Sequence, residues 1–121
     1  MTDATTDQAA LTAGTIVRCP RYINGERTGL RKAVVLGLWN EDNPKGGYRV
    51  YFYTLGPASF SPRTAGLAFA REMTVLGRLE DLSERTLTGI YKGLGEFPGS
   101  AYVRNRAGSH AYRLRSARRA R

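Results

Sequence analysis

The chain has 121 residues, of which 41% are hydrophobic, and its net charge is +9. This length fits one domain with a modest core, and no apolar stretch approaches the roughly 20 residues needed to cross a bilayer as a helix. Cys19 and His110 are the only residues of their types, which excludes an internal disulfide and the usual zinc sites. The first residues lack the cationic start and apolar block of a signal peptide, so we expect a cytoplasmic protein.

Five short strands are predicted from β-branched and apolar runs that are bounded by turn residues. They cover 14–19, 32–39, 48–54 and a strand–bend–strand pair over 67–77. Residues 1–13 are predicted to be a flexible lead. Loops are expected where glycine, proline and polar residues concentrate, at 21–30, 40–47 and 55–66.

The segment 81–96 changes to a helical period. Leu87, Ile90, Tyr91 and Leu94 fall on one helix face, Asp81 or Ser83 can cap its start, and Gly95 suits its end. The expected fold class is therefore mainly β with one C-terminal α-helix, a small and strongly bent barrel-like sheet spanning 14–96 with the helix packed on it.

The positive charge lies mostly in the remaining segment, 97–121, which has seven arginines and no acidic residue. A cluster of cations predicts binding to nucleic acid through phosphates, and Tyr102 and Tyr112 could stack on bases. A solvated tail without a partner is the alternative. The candidate contacts in this segment are Arg104, Arg106, Arg113 and Arg115.

An ordered series of short motifs carries a family resemblance over about 14–95. It consists of "GTIV" at 14–17, Gly-Glu-x-x-Gly-x-Arg at 25–31, "AVVL" at 33–36, a strand ending in Thr54, "GLAFA" at 66–70, "MTVL" at 73–76 and the final helix. The series resembles the MazF/PemK (Kid-like) toxins of toxin–antitoxin systems. The resemblance implies an SH3-like barrel, a homodimer, a cognate antitoxin protein as partner, and cleavage of single-stranded RNA without a metal or other cofactor.

Three catalytic residues follow from the resemblance. Arg31 would neutralise the reacting phosphate, Thr54 would donate a hydrogen bond to it, and Glu26 would be the general base. Cleavage needs no protein nucleophile, because the 2′-hydroxyl of RNA can attack the neighbouring phosphate once its proton is removed. Guanidinium suits the phosphate role, since it is always charged and can contact two oxygens.

The chain departs from the family pattern at three places. Lys32 replaces the proline after the arginine, Leu55 replaces the second hydroxyl after Thr54, and Arg71–Glu72 replaces an aspartate–glutamine pair. In a continuous strand Glu72 would point to the opposite face unless a bulge intervened.

These departures leave three functions open. The leading hypothesis is a MazF-like endoribonuclease. The first alternative is a protein of the same fold that binds nucleic acid without cutting it, using Arg27, Lys32, Arg71, Glu72 and the arginines of 97–121. The second is a protein-targeting module, since the CcdB gyrase poison shares this barrel.

Overall fold

The structure is a computed structural model and describes residues 11–55 and 65–120. The strands are β1 (Thr15–Ile23), β2 (Glu26–Leu38), β3 (Tyr48–Tyr51), β4 (Ala65–Ala68) and β5 (Thr74–Arg78). The helices are α1 (Glu84–Leu94) and α2 (Ala101–Arg119). Most of the predicted lead (1–13) and of the predicted connection (55–66) lies outside the described residues.

The five strands form one antiparallel sheet in the order β4-β3-β2-β1-β5, which confirms a mainly β chain with a helix after the sheet. The edges β4 and β5 do not pair within the described residues, so the sheet is not closed there. β1 and β4 nevertheless contact each other. Two strands separate them, which would place them about 14 Å apart in a flat sheet. The sheet is therefore strongly bent, as the sequence predicted.

The loop predicted at 21–30 is instead the outer half of a long β1–β2 hairpin. Its turn consists of Asn24 and Gly25, whose φ angles are 53° and 82°. Two consecutive positive φ angles match the tight hairpin turn that Asn-Gly favours. The loop prediction was wrong because the polar residues of this segment form an exposed ladder, and β1 continues through Pro20. The pairing shifts register just after it, an irregularity at which a strand tolerates proline.

One face of the sheet, called the helix face below, packs against both helices. The α1 residues buried there are Leu87, Ile90 and Leu94, which the helical period had placed on one face, whereas Tyr91 is 44% exposed. The strands contribute four buried residues to this cluster: Ile16, Val34, Leu36 and Tyr51.

The opposite face, called the inner face below, has a second core that the bend of the sheet helps to enclose. Its buried residues are Val17, Cys19, Ala33, Val35, Tyr48, Val50, Phe52 and Ala68. β3 is covered on both faces, because Tyr48 lies in this core while Tyr51 lies on the helix face.

Two local predictions are also confirmed. The bend within 67–77 is a 3₁₀ turn, Ala70–Glu72, between β4 and β5. Ser83 caps α1 by accepting a hydrogen bond from the backbone N–H of Thr86, and Gly95 ends the helix. These signals are local, so they could be recognised in the sequence alone.

The basic segment forms a second helix that packs on the first one, whereas one C-terminal helix was expected. α2 buries Val103, Ala107 and Ala111 in the same core as α1. This stripe is narrow and made of small residues, so it gives only a weak helical period in the sequence. Six arginines make α2 polar, and no helix among the described residues is long and apolar enough to cross a membrane.

Because α2 docks through Val103, shortening this side chain should measurably lower the stability of the fold. Val103→Ala removes two fully buried methyl groups and should lower the free energy of unfolding by roughly 2 kcal/mol, from lost burial plus the cavity left behind. The measurement is urea denaturation followed by circular dichroism. Leu114→Ala is the control, since Leu114 lies on the same helix and is 43% exposed; its effect should stay within about 0.5 kcal/mol. Equal effects of the two substitutions would contradict the packing.

Candidate nucleic-acid interface

The β1–β2 hairpin concentrates positive charge on its outer half. Residues 18–32 contain five cationic residues and a single acidic one, Glu26, for a net charge of +4. Every residue of β2 from Glu26 to Lys32 is exposed. The cations of this segment are Arg18, Arg21, Arg27, Arg31 and Lys32. They lie at one end of the sheet, called the hairpin end below, where the buried part of β2 gives way to solvent.

Arg31 lies just outside the inner core. It pairs across the ladder with Cys19, which is buried in that core. Directly opposite residues of an antiparallel pair project from the same face. Arg31 therefore extends from the inner face at its hairpin end. Its side chain is exposed, and no hydrogen bond or ion pair engages its guanidinium within the described residues.

Lys32 projects from the other face and lies directly opposite Arg18, and both residues are exposed. Like charges placed opposite each other on a sheet repel and destabilise the pairing. A bound anion would remove this repulsion. Arg18 also pairs with Thr74 of β5, so the two cations belong to the three-stranded part of the sheet.

Glu72 reaches the inner face because the 3₁₀ turn, rather than a bulge, precedes β5. Its Oε2 accepts a 2.8 Å hydrogen bond from the Tyr22 hydroxyl on the hairpin. Arg27, the cross-strand partner of Tyr22, lies near that hydroxyl and lowers its pKa. The other carboxylate oxygen, Oε1, is buried without a hydrogen-bond partner among the described residues. Such an oxygen is costly to leave unpaired.

Two pKa shifts indicate that Glu72 lies close to Cys19 and to Tyr22. Burial, and then the negative charge of Glu72, raise the pKa of the Cys19 thiol to about 11. Cys19 is therefore a neutral core residue and not a nucleophile. The hydrogen bond to Glu72 is the largest cause that raises the pKa of Tyr22, and Arg27 lowers it. Glu72 is thus near Cys19, the residue that Arg31 faces.

The three predicted catalytic residues do not form one cluster. Glu26 lies at the hairpin turn, five residues before Arg31 on the same strand, or about 16 Å away at 3.3 Å per residue. The two side chains cannot act on one phosphate. Thr54 is exposed beyond the end of β3, and no hydrogen bond joins it to Arg31 in the described residues. Glu72 is the carboxylate that shares the face of Arg31.

Sequence reasoning missed Tyr22 and Arg18. The Asn-Gly turn is the signal that could have found them, because a two-residue turn fixes the register of the strands on either side of it. Arg71, a predicted contact, lies apart from Glu72: its guanidinium carbon is 5.0 Å from the centre of the Phe69 ring.

Most predicted contacts in the basic segment hold α2 in place. Arg106 donates to Glu80 at 2.6 Å, and Arg115 donates to Glu84 at 3.0 Å. Arg104 donates to the backbone oxygen of Gly95 at 3.0 Å, at the end of α1. All three are only partly exposed, and the carboxylates of Glu80 and Glu84 compensate the charges of Arg106 and Arg115.

Arg113 differs from these three because it is exposed and its polar contact is with an imidazole ring rather than a carboxylate. Its guanidinium lies 2.8 Å from Nδ1 of His110. No carboxylate among the described residues therefore compensates its positive charge.

No group of three or more His, Cys, Asp or Glu residues that could hold a metal ion occurs among the described residues. A family model described as a family of unknown function, DUF6409, matches residues 1–121. No curated protein and no solved structure matches the chain.

The ion pair of Glu80 predicts a pH-dependent contribution to stability. The hydrogen bond from Arg106 is the largest cause that lowers the pKa of Glu80 from 4.5 to about 2. His110 Nε2 and Arg78 Nε lie farther away, at 3.6 and 3.8 Å. A carboxylate with a lowered folded-state pKa stabilises the fold above its unfolded pKa, and this stabilisation is lost as the pH falls toward the folded value.

Glu80→Gln should therefore lower the free energy of unfolding by about 1 kcal/mol at pH 7, after allowing for partial solvent screening. The difference from the unchanged protein should shrink below pH 4.5 and disappear near pH 2. Urea denaturation at pH 7, 4 and 2.5 measures it, with the exposed Glu96→Gln as control. A difference that stays constant with pH would contradict the ion pair as its source.

Proposed function

The chain belongs to the family DUF6409, and for this member we propose that it binds single-stranded RNA at the hairpin end of its sheet. The observation that carries the proposal is the exposed arginine at the edge of the inner core. Arg31 has no acidic partner among the described residues, and Lys32 and Arg18 face each other on the opposite side of the same strands. Three uncompensated cations at one end of a sheet favour a polyanion.

The chemistry of phosphate fits these side chains. Each cation that neutralises a phosphate releases counterions, which gives affinity without sequence readout. Arg31 can contact two phosphate oxygens at once, while Lys32 acts as a point charge. Exposed apolar residues next to them, Tyr22 and Leu30 at 40% and 54% exposure, offer surface for bases.

The choice of RNA as the ligand rests on the resemblance to MazF/PemK toxins. The strong bend of the sheet is compatible with the fold that this resemblance implies. We extend the proposal accordingly to an SH3-like barrel, a homodimer, a cytoplasmic location and an antitoxin partner. The edge strand β5 exposes Val75 and Leu76, at 57% and 41%, which is compatible with a protein partner at that edge.

Cleavage of the bound RNA is the second candidate function, and the position of Glu72 favours it. The 2′-oxygen would form a bond to the adjacent phosphorus while the bond from phosphorus to the 5′-oxygen breaks. Glu72 would take the 2′ proton through its carboxylate, and water would protonate the leaving 5′-oxygen. Arg31, on the same face, would offset the charge that develops on the phosphate.

Binding is tested by removing two cations of the hairpin end. Arg31→Gln with Lys32→Gln should weaken binding of a fluorescent 2′-O-methyl decauridylate, which cannot be cut. The slope of log affinity against log salt should fall by about 1.4, or 0.7 for each lost phosphate contact on a single strand. Fluorescence anisotropy at several salt concentrations measures both quantities. Lys45→Gln with Arg85→Gln removes the same charge from other exposed positions; if this pair has the same effect, the hairpin end is not the site.

Cleavage is tested separately with unmodified RNA of mixed sequence in EDTA. The unchanged protein should yield fragments ending in a 2′,3′-cyclic phosphate. Glu72→Gln should slow their formation about 100-fold or more, as expected for a lost general base. Glu26→Gln is the matched control and should leave the rate unchanged, because Glu26 is about 16 Å from Arg31 along β2. Intact RNA would reject cleavage and leave the binding proposal standing.

A further inference from the structure

A groove of about 710 Å³ lies between α1 and α2, away from the hairpin end. Its lining combines two tyrosines, three cations and small polar groups. The tyrosines are Tyr91 and Tyr112, and the cations are Lys92, Arg113 and Arg115. This groove shares no residue with the site proposed on the sheet.

The close approach of the two helices fixes one wall of the groove. Gly108 of α2 packs on the Tyr91 ring, and a Cβ at position 108 would lie only 2.8 Å from Cδ1 of that ring. Arg104 lies on the same tyrosine, with its guanidinium carbon 6.0 Å from the ring centre. Tyr91 is therefore held in place, while Tyr112 is 65% exposed and offers its ring to solvent.

The charge of the groove is only partly compensated. Arg115 is paired with Glu84, which also binds Arg118. Lys92 is exposed and has no hydrogen bond or ion pair within the described residues, and Arg113 contacts only the His110 ring. Two cations therefore line the groove without a carboxylate partner.

We infer that this groove is a second binding site for single-stranded RNA, in which a base stacks on Tyr112 and the adjoining phosphates contact Lys92 and Arg113. Aromatic faces beside cations are the usual means of holding single strands, because every base has a stacking face and every nucleotide a phosphate. Asn105 and Ser109, which also line the groove, supply hydrogen-bonding groups for base edges. The inference rests on the proposed function and adds a second contact region to it.

The test uses the full-length protein and the same 2′-O-methyl decauridylate, measured by anisotropy. Lys92→Gln with Tyr112→Ala removes one cation and one ring from the groove. Lys45→Gln with Trp39→Ala removes one cation and one aromatic ring outside the groove, since Trp39 follows β2 and is 47% exposed. The groove pair should weaken binding about fivefold or more and lower the salt slope by about 0.7, whereas the control pair should stay within about twofold.

Equal effects of the groove pair and the control pair would overturn the inference. The hairpin variant, Arg31→Gln with Lys32→Gln, separates this failure from that of the proposed function. If only the hairpin variant loses binding, the groove is rejected and the sheet site stands. If only the groove pair loses binding, the sheet site is rejected and the groove stands. Decaglutamate serves as a competitor. If it displaces the RNA, and if the groove pair weakens its binding as much as that of the RNA, the groove binds an acidic protein segment instead.

Discussion

The pairing of β1 with β2 is the interaction on which the rest of the structure depends. Its inner half is buried on both faces, with Val34 against the helices and Ala33 in the inner core. Its outer half continues the same ladder and is exposed from Glu26 to Lys32 along β2. Because successive residues of a strand point to opposite faces, this ladder also sets Arg31 beside Cys19 and Lys32 beside Arg18.

The distribution of charge follows from how the elements pack. Glutamates at the start of α1 and just before it hold arginines of α2, so much of the charge in the basic segment contributes to docking of that helix. The hairpin end has cations that no carboxylate compensates, Arg31 and Lys32 among them, in the described part of the chain. A count of arginines along the sequence therefore does not show where uncompensated positive charge lies, because carboxylates pair with several arginines of α2.

This arrangement favours binding over cutting as the primary proposal. The carboxylate expected from the resemblance, Glu26, lies at the far end of the hairpin, while Glu72 takes a position on the inner face. Tyr22 holds one oxygen of Glu72 and leaves the other unpaired. The exposed Arg31 can contact a phosphate wherever Glu72 lies. Cleavage in addition requires that Glu72 reach the 2′-hydroxyl.

The sequence by itself determined what local signals and periodicity encode. The apolar period and the caps predicted α1, and β-branched runs predicted the buried parts of β1 and β2. The bend expected within 67–77 is the turn that separates β4 from β5. Only the tertiary structure decided that Glu72 shares the face of Arg31 and that α2 docks through Val103 and two alanines. A turn between strands redirects a side chain by an amount that spacing does not reveal, and a stripe of small residues is recognisable as a core face only once its partner helix is in place.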